Sequence, residues 1–170
     1  MSCAVPRLLV VLLAALGATA CGRGSVPAPR ALAPVAIEAR LWRADDGGIP
    51  DSTEHVIRDA ETMRDLWQRA TSTQATPPDL DPIDFRRQMV LLVAAGRMSP
   101  EDEIRIDSIG VRSEPMPDGG RQDVLAVQYS ITENCSRFPG DVYPVEIVRV
   151  SRYDGRVRFI GRRNRSDSCR

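Results

Sequence analysis

Few side chains in this sequence are of the types that carry out catalysis. His55 is the only histidine among 170 residues, so a Ser-His-Asp or Cys-His catalytic set would have to use it. The Gly-x-Ser-x-Gly motif, which carries the nucleophile in one large class of hydrolases, does not occur. Because a lone histidine beside a strand is more often a surface or capping residue, we predict no catalytic residue and no enzymatic activity.

The residue types do not indicate a metal site either. Zinc needs three or four nitrogen or sulfur ligands. One histidine does not supply them together with Cys135 and Cys169, which we expect to be oxidised in an exported protein. Glu101, Asp102, Glu103 and Asp107 offer oxygen atoms of the kind that calcium prefers. However, consecutive side chains of an extended segment point to opposite faces. We therefore predict a solvated acidic turn at this point, with no metal and no cofactor.

Two alternatives from other functional classes remain open. The first is a small envelope hydrolase that uses carboxylates such as Asp84 or Asp107, since two carboxylates in one cleft can do acid–base work. The second is a binder of anionic surface glycan or phosphate, because residues 149–170 hold eight arginines against Asp154 and Asp167. The formal net charge of +0 argues against a general nucleic-acid binder, so no nucleic-acid partner is expected.

The N-terminus has the pattern of a targeting segment. Arg7 precedes an apolar run over residues 8–18, which is too short to span a bilayer and has the length of a signal-peptide core. Small residues then lead to Cys21, in the order Ala18-Thr19-Ala20-Cys21. This pattern resembles a bacterial lipoprotein signal over residues 1–20, with Cys21 as the lipidated first residue of the mature protein. A plain secretory signal that is cleaved after Ala20 is the alternative.

The resemblance to a lipoprotein implies a place in the bacterial cell envelope, anchored to a membrane by lipid. The resemblance to lipoproteins of Gram-negative bacteria further implies the outer membrane, because Gly22 follows the cysteine where their inner-membrane sorting signal has Asp. Residues 21–34 contain three prolines and form a tether that reaches roughly 40 Å at about 3 Å per residue. Of the four cysteines, Cys3 leaves with the signal and Cys21 is acylated. Cys135 and Cys169 remain and predict one disulfide in an oxidising compartment.

Hydrophobic periodicity predicts a single domain over residues 35–170. Residues 59–71 fit a helix with Asp59 as its N-cap and one apolar face, formed by Met63, Leu66, Trp67 and Ala70. The seven apolar residues 89–95 fit a central strand that is buried on both faces. Alternating strands are predicted at 35–43, with Ile37 and Leu41 on one face and Trp42 opposite, and at 125–131. A change of phase at Asp107-Ser108 predicts a β-bulge or a strand twisted enough to change faces.

We also predict a hairpin near the C-terminus. Residues 145–152 and 156–160 are strand-like, and Asp154-Gly155 between them suits a two-residue type I′ turn. In this register Val150 faces Phe159, and Arg152 faces Val157. The fold class that follows is α+β, a mostly antiparallel sheet with one main helix packed on it.

Four short motifs follow one another in this chain: Leu66-Trp67, Pro82-Ile83-Asp84-Phe85, the core strand ending in Gly96, and Tyr143-Pro144-Val145. Their order over roughly residues 56–159 resembles the PrcB family, whose C-terminal domain is named for an accessory subunit of a secreted protease complex. The resemblance implies a small α+β domain with a non-catalytic role beside other envelope proteins. The family often has a Pro-Thr-Gly-Gly-Tyr-like loop after the core strand, whereas here, around residues 97–103, only Gly96 and Pro100 are in keeping with it.

The leading functional hypothesis is therefore a membrane-anchored envelope lipoprotein that binds or steadies another protein. It combines the small number of catalytic residue types, the tether and the family resemblance. A pocket with convergent carboxylates would favour the enzyme, whereas a flat sheet surface with an exposed apolar patch would favour the partner-binding protein.

Overall fold

A computed structural model describes residues 33–135 and 138–169 and has two sheets with one helix. The elements are β1 (Ala33–Pro34), β2 (Ile37–Ala44), β3 (Ser52–Ile57), α1 (Ala60–Ala70), β4 (Gln88–Ala95), β5 (Glu103–Pro115), β6 (Arg121–Glu133), β7 (Val145–Ser151), β8 (Arg156–Arg165) and a short 3₁₀ helix, Asp167–Cys169. The predicted α+β class, with mostly antiparallel strands and one main helix, is confirmed.

The eight strands form two sheets that pack face to face. Sheet A has the strand order β1-β5-β6-β8, and sheet B has the order β2-β7-β4-β3. Strands β6 and β8 pair in parallel, and the other pairings between these strands are antiparallel. Helix α1 covers the outer face of sheet B, so this sheet is buried on both faces.

Strand β4 lies inside sheet B and is buried on both faces, as its uninterrupted apolar run predicts. Met89, Leu91 and Val93 point toward sheet A, whereas Val90 and Leu92 point toward the helix. All five side chains are fully buried. Complete burial of one such side chain contributes about 1.5–3 kcal/mol, which makes β4 the main link between the two layers of core.

Helix α1 begins and ends where the sequence predicts. The Asp59 carboxylate accepts a hydrogen bond of 2.8 Å from the backbone N–H of Thr62 and caps the first turn. This backbone hydrogen bond, together with one from the Thr62 hydroxyl, lowers the pKa of Asp59. The four predicted apolar residues are buried against sheet B: Met63, Leu66, Trp67 and Ala70. The cap therefore fixes the start of the helix, and the apolar face fixes its orientation.

Strand β2 departs from the alternation that the sequence predicts. Its pairing with β7 shifts register twice, between Ile37 and Ala39 and again between Arg40 and Trp42. As a result, Leu41 and Trp42 both lie in the core beside the helix, while Ile37 packs between the sheets. The prediction that Ile37 and Leu41 share a face is therefore wrong, because irregular pairing breaks the two-residue period.

The predicted C-terminal hairpin is also wrong. Strand β7 has both edges occupied, by β2 and β4, so it cannot pair with β8. Val150 pairs with Ile37 and Met89, and Phe159 pairs with Val127 in the other sheet. Val150 and Phe159 still pack in the same core between the sheets. Residues 152–155 therefore form a connection from one sheet to the other.

Two further sequence predictions concern β5 and the N-terminus. The register of β5 against β6 shifts between Ile106 and Ser108, which confirms the predicted bulge. Ala33 and Pro34, at the end of the predicted tether, pair with Val111 and Gly110.

The predicted signal peptide, Cys21 and residues 22–32 lie outside the described residues. Over the described ranges, no helix combines the length and apolar character needed to cross a bilayer.

Candidate functional site

One side of the sandwich is closed by side chains that connect β2 and β7 to β5. The carboxylate of Glu146 accepts hydrogen bonds from the Arg40 guanidinium and from the backbone N–H of Ile106. Arg40 also donates to the Ile106 carbonyl oxygen at 3.1 Å. The two side chains thereby satisfy both backbone groups of Ile106, next to the bulge. Further along, Arg43 binds Glu103 at 2.8 Å. We call this side the closed seam.

The opposite side is a cleft between β3 and β8, the outermost strands of their sheets. We call it the open seam. It has a volume of about 400 Å³ and is lined by Ser52, Tyr129, Ile131, Gly161, Arg162 and Arg163. At one end, Arg58, which follows β3, donates to the carbonyl oxygens of Tyr153 and Gly155 in the connection between the two sheets. At this seam β3 and β8 each have one edge that pairs with no further strand of the described chain.

Tyr129 crosses the open seam from β6. Its hydroxyl donates to Glu54 of β3 at 2.7 Å. Partial burial and then the Glu54 carboxylate raise the pKa of Tyr129 to about 12, so the hydroxyl keeps its proton at neutral pH. Gly161 makes room for the ring, because a Cβ at this position would lie 2.6 Å from Cζ of Tyr129. A glycine inside a strand thus marks a close approach of another side chain.

A second cleft, which we call the disulfide cleft, adjoins the open seam and shares Arg163 with it. It has a volume of about 420 Å³. The structure joins Cys135 to Cys169 by a disulfide at its margin, the pair that the sequence predicts. Asp102 is buried here and accepts the backbone N–H groups of Ser99 and Asn134, at 3.0 and 2.7 Å. The prediction of a solvated acidic turn is therefore wrong for Asp102, whose buried carboxylate holds two loops together.

The other charged groups of the disulfide cleft pair with one another. Arg97 binds Asp141 at 2.9 Å, which raises the pKa of Arg97. Glu133 accepts from Arg163 and Arg165, both at 3.3 Å. Each carboxylate that lines this cleft is therefore engaged, and the arrangement suits recognition and structural support better than proton transfer.

His55 lies on β3, on the face of sheet B that carries the helix. Its Nε2 is 3.0 Å from the Thr53 hydroxyl. Partial burial and then the nearby Arg69 lower the pKa of His55, so the ring is neutral at pH 7. The side chain lines neither the open seam nor the disulfide cleft.

The carboxylates considered for a hydrolase do not meet. Asp84 precedes β4 in sheet B, where it accepts the backbone N–H of Arg86 at 3.0 Å. Asp107 lies at the bulge of β5 on the outer face of sheet A, where the Ser130 hydroxyl contacts it at 3.1 Å. The two therefore lie on opposite sides of the sandwich. Within the described ranges, no group of three or more His, Cys, Asp or Glu residues could hold a metal ion.

The arginines of the C-terminal region are distributed over separate surfaces. Arg149 lies near Glu38 in sheet B, and Arg152 binds Asp154 at 2.7 Å. The remaining described arginines of this region are on β8: Arg156, Arg158, Arg162, Arg163 and Arg165. Arg170 lies outside the described residues. The arginines of residues 149–170 therefore do not form one basic surface, and most of those described lie on β8 at the open seam.

The residues that shape the two seams are not among the site residues that the sequence predicts. Glu146 interrupts the apolar strand Val145–Ser151, and a charge in such a run is a signal of a buried partner. Gly161 inside a strand is a comparable signal of close packing. Tyr129 carried no signal beyond its place in an alternating strand.

Comparison with known proteins gives no match: no protein-family model, curated protein or solved structure is significantly similar to this chain. The resemblance to the PrcB family therefore stays a prediction that rests on the four motifs alone.

Proposed function

We propose that this protein is a lipid-anchored envelope module that binds another protein and has no active site of its own. The observation that carries the proposal is the unequal closure of the sandwich. Buried and exposed ion pairs close one seam, whereas the other leaves the edges of β3 and β8 beside a cleft. Unpaired strand edges present backbone N–H and C=O groups that a partner chain can satisfy.

The shifted pKa values give no support to an acid–base mechanism. The pKa is raised for Tyr129 and Arg97 and lowered for Asp59, so each of these groups keeps its ordinary charge state at neutral pH. His55 is neutral and able to act as a base, but it lies outside both clefts. The proposal therefore favours binding over the hydrolase alternative with Asp84 or Asp107.

The family resemblance adds the kind of partner to this proposal. It suggests an accessory role in an envelope protease complex, as the PrcB name describes for that family. In this view the lipid on Cys21 holds the domain near the membrane, and the tether lets the open seam reach a neighbouring envelope protein.

Site-specific cross-linking in native membranes tests the proposal. A photo-reactive amino acid replaces Ser52, which is exposed at the open seam, and in a matched variant replaces Gln68, which is exposed on α1. We expect one reproducible protein partner from position 52 that excess unlabelled protein competes away, and none from position 68. Equal labelling from both positions, or no competed product from position 52, would contradict the proposal.

A further inference from the structure

Strand β8 is an edge strand with a high density of positive charge. Its ten residues, Arg156–Arg165, include five arginines and no acidic residue. One of its edges pairs in parallel with β6, and its other edge pairs with no strand of the described chain. A strand of ten residues is about 33 Å long, enough to bind an extended segment along its whole length.

The acidic residues of the domain neutralise only part of this charge. Arg158 binds Glu114 at 3.1 Å, and Arg163 and Arg165 share Glu133. These acids come from β5 and β6, which are on the paired side of β8. Arg156 and Arg162 are exposed and make no ion pair with any described residue. The unpaired edge of β8 therefore lies beside uncompensated positive charge.

We propose that the partner supplies an extended, acidic segment that adds to the free edge of β8 as a further strand of sheet A. The inference rests on the proposed function and specifies the partner of the same open seam. Backbone hydrogen bonds along β8 hold the segment. Acidic side chains opposite Arg156 and Arg162 fix its register, because cross-strand pairs of opposite charge are favourable.

The same composition argues against a second copy of this chain as the occupant. Two β8 strands in a symmetric antiparallel pair would place arginines against arginines, which is unfavourable. Charged residues on edge strands commonly prevent such self-association. The arginines of β8 therefore disfavour pairing with a second β8 strand and favour pairing with an acidic strand. Repulsion of the wrong partner in this way contributes to binding specificity.

Peptide titration with the detergent-solubilised mature protein tests the inference. The probe is an end-capped decapeptide of alternating Glu and Val, and the comparison peptides are its Lys-Val analogue and a Glu-Val peptide N-methylated at alternate amides. We expect the Glu-Val peptide to bind and to protect β8 amides from hydrogen exchange. The other two peptides, which lose the charge match or the backbone donors, should bind at least tenfold more weakly.

Charge reversal supplies the matched variants. Arg156→Glu/Arg162→Glu should weaken binding of the Glu-Val peptide about tenfold and improve binding of the Lys-Val peptide. Arg64→Glu makes the same kind of change at an exposed position of α1 and should alter neither. Retained exchange protection of residues 89–95 shows that the variants fold, and Arg156→Gln/Arg162→Gln provides a milder second pair.

Several results would overturn the inference. If inorganic polyphosphate and the N-methylated peptide compete as well as the Glu-Val peptide, β8 attracts anions without pairing as a strand. Absence of new protection in β8 would also overturn it. If cross-linking at position 52 captures a partner while β8 gains no protection, the inference fails and the proposed function stands. If that cross-linking fails as well, both are wrong.

Discussion

Arg40 and Glu146 form an ion pair that lies between the two sheets. Glu146 is completely buried, whereas 39% of the Arg40 side chain is exposed. Removal of one partner leaves the other charge without compensation, which costs about 3–5 kcal/mol where both partners are fully buried. Because Arg40 is partly exposed, we expect its loss to cost an amount near or below the lower end of this range.

Chemical denaturation of Arg40→Met tests this prediction, since Met keeps the apolar stem and removes the charge. Arg43→Met is the matched control on the same strand, because its pair with Glu103 has exposures of 37% and 53%. An exposed pair contributes about 0–1 kcal/mol. Equal losses in the two variants would show that burial of Glu146 does not determine the strength of the closed seam.

His55 should make the stability of the protein depend on pH. Burial lowers its pKa below 6.5, so the unfolded state binds more protons in the window between the folded pKa and 6.5. The contribution of the neutral His55 ring to the free energy of unfolding is complete above pH 6.5. It falls as the pH is lowered through this window and levels off below the pKa of the folded state. In His55→Gln this step should be absent from denaturation curves between pH 7.5 and 5.5. Identical pH profiles would contradict the prediction.

The role of His55 in function is a separate prediction. His55→Ala should leave partner capture at position 52 unchanged, because the side chain lines neither cleft. A variant that folds and yet loses a measured activity would show that the non-enzymatic proposal is wrong.

The C-terminal element depends on the disulfide between Cys135 and Cys169. The bond spans a sequence separation of 34 and holds the 3₁₀ helix Asp167–Cys169 against the end of β6. For a loop of this length the chain-entropy model gives about 4 kcal/mol of stabilisation. Cys169→Ser should therefore lower the Tm and increase hydrogen exchange over residues 162–169, while residues 89–95 of β4 stay protected.

Peptide mapping without reduction is the direct measurement, with the protein taken from the envelope. Free thiols at both cysteines would be incompatible with the bridge. Reduction of the wild-type protein should reproduce the exchange pattern of Cys169→Ser, and it should have no further effect on that variant.

At the scale of the whole molecule, anchoring by Cys21 is the central prediction. Mass spectrometry of the mature N-terminus should find an acylated Cys21, and Cys21→Ser should release the protein from membranes or leave the precursor uncleaved. The motif Ala18-Thr19-Ala20-Cys21 and the proline-containing tether motivate this expectation. An unmodified Cys21 or an N-terminus at Gly22 would contradict it and would leave a plain secreted protein.

The sequence by itself determined the elements whose signals are local. Asp59 and the apolar spacing define α1, seven apolar residues define β4, and a change of phase locates the bulge at Asp107. Each signal reflects a property of adjacent residues, such as capping, periodicity or burial on two faces. Local physics therefore suffices for the fold class and for much of the core.

Only the tertiary structure decided which strands are partners and where the seam opens. Asp154-Gly155 is a good turn signal, but β4 and β2 occupy both edges of β7, so β8 pairs with β6 instead. Two register shifts likewise turn Leu41 and Trp42 to one face. The open seam combines residues from β3, β6 and β8, which are far apart in the chain. Competition among edges is a property of the whole assembly, and no local pattern contains it.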